Sequence, residues 1–199
     1  MRTTTMIALV GALFATSPAY AIDLNPFGYI ASAVEAIAED RSADDISKDL
    51  QLKAAIVAAI TDEMGTDIAS VSTDVYEQDV MLTGVVETKA QKSQAGKIAK
   101  AAKDAKKIYN EIIVHKKTDE DKGVAEGFVD DTIIEKKTNA LLLDGKGVNV
   151  TNFRWRSVGG HVFLFGRALS GDEKAKATRI VKDIKGVTQV TNLAKIRAK

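Results

Sequence analysis

The chain has 199 residues, two histidines, no cysteine, and 28 Lys and Arg against 27 Asp and Glu, a formal net charge of +1. Without cysteine, no disulfide, thiol chemistry or lipidated N-terminal cysteine is expected. The near-zero total conceals an uneven distribution. Residues 22–44 carry one Arg against five acids, 45–117 balance at 11 against 11, 118–127 are net −3, and 128–199 hold 14 bases against 7 acids. Only the last stretch is basic.

The N-terminus opens with Met1-Arg2, runs apolar from Met6 to Ala15 and reaches a small-x-small site at Ala19-Tyr20-Ala21. This pattern predicts a signal peptide over 1–21, cut before Ile22, because the apolar run is too short for a permanent membrane span. A buried N-terminal helix is the other reading. In the segment 22–44, Phe27, Ile30, Val34 and Ile37 recur at helical spacing after Pro26. Such a helix can lie on a membrane or dock on a domain, and its acidity favours docking or partial disorder over an anionic membrane.

Asp44-Asp45 supply capping oxygens for a helix whose apolar face is Leu52, Ile56, Ala59 and Ile60. Alternation at Val71-x-Thr73-x-Val75 and Val80-x-Leu82-x-Gly84 predicts two strands joined by a turn at Glu77-Gln78-Asp79. Gly84, on the buried face, lets a covering helix approach closely. A second helix follows over Lys92 to Lys106, with Lys97, Lys100, Lys103, Lys106 and Lys107 along it, and a strand over Ile108 to Val114 closes the unit. Those lysines read as a solvated face. Residues 118–127 form a short acidic linker with two glycines, too short to keep its flanks apart.

The pattern then repeats. Val80-Met81-Leu82-Thr83-Gly84 returns as Val162-Phe163-Leu164-Phe165-Gly166, an offset of 82 residues that also aligns Asp62 with Asp144, Gly65 with Gly147, Ile98 with Ile180 and Asn110 with Asn192. The second unit opens with a helix from about Phe128 to Leu143, turns at Gly159-Gly160-His161, continues through a helix over Lys174 to Lys185 and ends on a strand over Val187 to Ile196. The predicted fold is α+β: two tandem units over 45–117 and 128–199, each α-β-β-α-β with two helices on a three-stranded mixed sheet.

Val-x-Leu-x-Gly, an alanine-rich helix, and Gly186-Val187-x-x-Val190-x-Asn192 resemble the BON-domain family. Two such units behind Glu39-Asp40-Arg41-Ser42-Ala43-Asp44-Asp45 resemble its double-BON envelope members. Ile108-Tyr109-Asn110-Glu111-Ile112 and Asp131-Thr132 are further matches. The resemblance implies a periplasmic protein, peripherally associated with membrane, that supports envelope integrity. It departs from the lipoprotein members in lacking a cysteine.

By the repeat register, Ile134, Leu141 and Leu142 take the core positions of Leu52, Ala59 and Ile60, leaving Ile133, Lys136, Lys137 and Ala140 toward solvent. In double-BON relatives the corresponding helix contacts anionic phospholipid. The resemblance therefore implies a lipid face of Phe128, Ile133, Lys136, Lys137 and Ala140, with phosphatidylglycerol or cardiolipin as partner. Those relatives carry Trp where this chain has Ile133, which weakens interfacial anchoring.

The second unit's first strand holds Phe153-Arg154-Trp155-Arg156. Phe153 and Trp155 take core positions, so the opposite sheet face gathers Arg154, Arg156, Phe163, Phe165 and Arg167. Interleaved Arg and Phe resemble a nucleic-acid platform, but export argues against that partner. Packing on the first unit or on an envelope protein is the expectation, because exposed Phe pairs are unfavourable. That face also carries the competing reading, a stress-induced periplasmic chaperone or protein-interaction module.

Catalysis has little to work with. His115 and His161 lie near no nucleophile or carboxylate arrangement, and metal-ligand spacing is absent. Asn110 and Asn192 are expected to close turns or cap chain ends. No enzyme activity, cofactor, metal, nucleic acid or small-molecule substrate is expected.

Overall fold

The computed structural model describes residues 39–65, 70–115 and 124–197. The expected signal peptide, most of the 22–44 segment and residues 118–123 of the linker lie outside the described residues.

Helix α1 spans Ala43–Met64. Its N-cap is Ser42, whose hydroxyl accepts from the Asp45 N–H at 3.1 Å. The expected cap at Asp44-Asp45 is therefore displaced. These acids sit in the first turn, where carboxylates suit the positive end of the helix dipole. Gly65 ends the helix at φ +71° and donates to the Thr61 carbonyl. Leu52, Ile56 and Ile60 are buried along one face.

Strands β1 (Ser72–Tyr76) and β2 (Asp79–Thr83) pair antiparallel around a two-residue turn, Glu77-Gln78. Beyond Gly84, a short β3 (Val85–Val86) precedes α2 (Lys89–Ala101). That helix starts earlier than the apolar period suggests, because Thr88 and Gln91 form a capping box. It ends at Ala101, short of the expected Lys106, and Asp104 stands at φ +71° just beyond. Strands β4 (Lys107–Asn110) and β5 (Ile113–Val114) run parallel to β2 and β3.

The second unit repeats this course. Helix α3 spans Val124–Asp144, and a 3₁₀ turn at Val150–Asn152 leads into the β6 (Phe153–Val158) and β7 (His161–Ala168) hairpin. Helix α4 (Gly171–Lys182) is capped by Ser170, begins three residues ahead of the expected Lys174 and ends before Lys185. Strands β8 (Gln189–Asn192) and β9 (Lys195–Ile196) run parallel to β7. The expected three-stranded mixed sheet under two helices is present in both units.

Each closing strand is split at the level of the motif glycine. Gly84 has φ +119°, and a Cβ there would lie 2.0 Å from the Ser70 carbonyl oxygen; at Gly166 the values are φ +109° and 2.2 Å from that of Asn152. The close approach is therefore by backbone entering the first strand of the same unit. A covering helix, as read from the sequence, is not its cause.

Each unit has its own core. Leu52, Ile56, Ile60, Val80, Leu82, Ala95, Ile98 and Ala99 fill the first. In the second, Ile134, Leu142, Phe153, Val162, Leu164, Ala177 and Val181 do the same, with Trp155 partly buried beside them. Leu141 departs from the register expectation and is 44% exposed. Its counterpart Ala59 sits at the margin of the buried arc, so a longer side chain there projects outward. Thr138, at the position of Ile56, is fully buried instead.

A third apolar cluster joins the units: Tyr76, Met81, Val158, Phe163 and Phe165, with Val85, Tyr109, Ile113 and Leu193 packed against it. Met81 points away from Val80 and Leu82, as Phe163 does from Val162 and Leu164, so the helix-free faces of the two sheets meet. The order of layers is helices, sheet, sheet, helices.

Candidate functional site

Arg154, Arg156, Phe163, Phe165 and Arg167 all lie between the two sheets. Phe163 and Phe165 are 1% and 2% exposed, and Phe165 meets Tyr109 edge-on at 5.7 Å between ring centroids. Arg156 makes a two-pronged pair with Asp74, Nε and Nη2 donating over 2.8 and 2.9 Å. Residues 74 and 156 are equivalent positions of the repeat, so the units meet like against like in backbone and opposite in charge. Arg154 donates to Glu39 at 2.7 Å, and Arg167 to the Asp40 carbonyl at 2.6 Å and to Glu77 at 3.5 Å. Lys195 pairs with Asp79, and Arg197 with Glu77 at 2.6 Å. In each of these pairs the acceptor belongs to the first unit or the residues leading into it, and the base to the second.

Residues 39–42 cross between the units. The Asp40 carboxylate accepts from both Asn149 and Asn152, and Glu39 joins Arg41 and Arg154. Arg41 pairs with Asp49 and lies 4.2 Å from the centroid of the Tyr76 ring. Burial raises the Tyr76 hydroxyl far above its ordinary pKa, and that hydroxyl donates to Asn152 at 3.2 Å. Beside it, burial lowers the pKa of Lys53, an effect that nearby Asp74 opposes.

Two buried aspartates, Asp49 and Asp131, hold the hairpin turns and went unrecognised as such in the sequence. Asp49 accepts from the backbone N–H groups of Glu77 and Gln78 at 2.7 and 2.8 Å. Asp131 accepts from those of Gly159 and Gly160 at 2.6 and 2.8 Å, and from the Ser157 hydroxyl. Their shared repeat position was the available signal. Asn110 and Asn192 each donate from the closing strand to a helix carbonyl, Lys92 at 2.8 Å and Lys174 at 3.2 Å. Asn192 also closes a turn as expected, its Oδ1 accepting from the Ala194 N–H at 3.0 Å. His161 Nε2 is 2.8 Å from the Thr191 hydroxyl, its ring stacks on Phe163, and burial lowers its pKa.

The outward face of α3 is a different surface. Ile133, Lys136, Lys137 and Ala140 are exposed there, whereas the side chain of Phe128 lies outside the described ones. The described residues include five exposed large apolar side chains, Leu50, Ile133, Leu141, Leu143 and Ile196, and three of the five belong to this helix. At 100° per residue, Leu143, Lys136, Ala140, Ile133, Lys137 and Leu141 share an arc of about 160°. The opposite arc, with Asp131, Ile134, Thr138 and Leu142, is buried. Lys136 and Lys137 flank Ala140 and Ile133, with exposed Asp144 among them and Leu143 and Leu141 at the margins. The apolar groups of such a face can enter a lipid headgroup layer while the ammonium groups remain at phosphate depth. Among the described residues no helix is long and apolar enough to cross a membrane.

The repeat, the folded unit and its glycine-marked hairpin define a class of tandem α+β repeat protein. A family model, the BON domain, matches residues 48–116 and again 130–198, and the chain belongs to that family as a double-BON protein. It is 30% identical over 129 residues to an uncharacterized protein in the gshII 5′ region of Anaplasma centrale, covering 65% of this chain and 83% of the relative. It is 27% identical over 144 residues to the osmotically-inducible protein Y of Escherichia coli strain K12, covering 72% and 70%. Among solved structures it aligns with CdsD, a structural protein of the type III secretion system of Chlamydia trachomatis, at 13% identity over 72% of this chain and 93% of that one. The TM-score of 0.31 is too low to carry an argument.

Proposed function

We propose that the chain is an exported envelope protein that binds anionic phospholipid, phosphatidylglycerol or cardiolipin, through α3 of its second BON unit and thereby supports envelope integrity. The observation that carries this reading is the exposed α3 arc, where Ile133, Leu141 and Leu143 stand beside Lys136 and Lys137. Export is supported by the leader-like first 21 residues, and a part in osmotic stress by the similarity to the osmotically-inducible protein Y.

Attraction to the bilayer is modest. Arg154, Arg156, Arg167, Lys195 and Arg197 face the first unit, so they add little to the outward charge of the second. Lys136 and Lys137 each contribute up to about 1 kcal/mol near an anionic surface, and the leucines and Ile133 add shallow burial. The association is weak, reversible and salt-sensitive. The chaperone reading loses support because Phe163 and Phe165, its proposed client contacts, are covered.

Co-sedimentation with phosphatidylglycerol vesicles and with purely zwitterionic ones, at low and physiological salt, tests the proposal. Binding to the anionic vesicles alone, lost at physiological salt in Lys136→Glu/Lys137→Glu, is the expected result. No binding of the unaltered protein at low salt, or equal binding of the double variant, overturns it.

A further inference from the structure

The solvent face of α2 has no part in the proposal above. Its 13 residues hold four lysines and no acid, and two of the lysines, Lys89 and Lys92, stand in the first turn. That is the helix end where the dipole disfavours cations and rewards carboxylates. A first turn with two lysines and no acid therefore runs against that local preference. Lys89, Lys97 and Lys100 are exposed and share an arc of about 80°, opposite the buried Ala95, Ile98 and Ala99.

The balanced net charge of the first unit hides this face. Asp49, Asp74 and Asp79 are buried, Asp49 on a hairpin turn and on Arg41, and Asp74 and Asp79 on bases of the second unit. Glu77 also turns toward the second unit, reaching Arg167 and Arg197. These four carboxylates point inward; Asp62, Glu63, Glu87 and Asp104 are exposed, but none of them lies within α2, whose only charges are its lysines. Because the two sheets pack through their helix-free faces, the α2 and α3 faces lie on opposite sides of the molecule.

We infer that α2 is a second anionic-lipid contact and that one chain bridges two anionic bilayers, α3 seated on one and the α2 lysine face on the other. This rests on the lipid-binding reading of α3. Lacking apolar side chains, the α2 contact is purely electrostatic and weak for one chain, and it becomes effective when many α3-bound chains present it together.

The test follows phosphatidylglycerol vesicles by dynamic light scattering at physiological salt, with co-sedimentation measured in parallel. The unaltered protein is expected to bind and to cluster the vesicles. Lys89→Glu/Lys97→Glu/Lys100→Glu, all at exposed positions, is expected to keep at least half of the binding and lose the clustering. Lys136→Glu/Lys137→Glu is expected to lose both. Binding without clustering by the unaltered protein overturns the bridge and leaves the α3 site standing, whereas absence of binding at low salt as well overturns the α3 site. Undiminished clustering by the α2 variant also overturns the bridge, since a pair of chains each presenting α3 would then explain it.

Discussion

The two units share one backbone course and differ at the positions where they touch. Asp74 in β1 and Arg156 in β6 are the same repeat position, and so are Met81 and Phe163. One sheet face is acidic and carries Tyr76, Met81 and Tyr109; the other is basic and carries two phenylalanines. Duplication supplies matching shapes, and divergence in charge makes the pair complementary. Each partner alone would expose a surface that is unfavourable in water.

The strongest way to break this relation is Arg156→Ala, which strands Asp74 in a nearly dry interface with Lys53 3.8 Å away as its remaining cation. A loss of about 3–5 kcal/mol is expected from chemical denaturation. Restoring both sides as Asp74→Leu/Arg156→Leu should recover most of it, because the cost lies in the unpaired charge.

The turns give a smaller contrast. Glu77 and Gln78 adopt φ +51° and +62°, a conformation that non-glycine residues enter with strain and that Asp49 holds in place. The second unit uses Gly159-Gly160. Gly160→Ala would set its Cβ 2.6 Å from the Gly186 carbonyl, and a loss of about 2–3 kcal/mol in thermal or chemical unfolding is expected. Gly159→Asn, where a Cβ meets nothing within 4 Å among the described residues, should change stability by less than about 0.5 kcal/mol.

The cores differ least. Thr138 replaces Ile56, and its hydroxyl is buried with no hydrogen-bond partner among the described residues. Thr138→Val should raise the unfolding free energy by about 1 kcal/mol in chemical denaturation, since it removes an unsatisfied polar group at nearly constant volume. No gain would mean that the hydroxyl finds a partner in solution.

Period and repetition made the architecture legible: two hairpins, two helices per unit, and the 82-residue offset all followed from apolar alternation and recurring glycines. Helix starts were harder to place. Lys89-Ala90-Gln91 contains no large apolar residue, so the capping box at Thr88 and Gln91 was hidden from a periodicity argument. Gly84 was seen to need a close approach, but the approaching group, the Ser70 carbonyl, is not encoded by local pattern. For the surfaces, net charge per unit was a poor guide because it sums inward and outward faces. A balanced first unit concealed a helix with four lysines and no acid, and a second unit of high positive charge concealed how much of it is neutralised.

The pairing of equivalent positions also governs which molecules mispair. If the first units of two nascent chains docked through this face, Asp74 would meet Asp74; two second units would oppose Arg156 to Arg156. Both homotypic encounters place like charges in a desolvated seam, so only the heterotypic one is favourable. Because synthesis delivers one of each kind on every chain, the correct mate is always the one covalently at hand. Charge asymmetry thereby acts as an assembly code against entanglement between neighbouring copies.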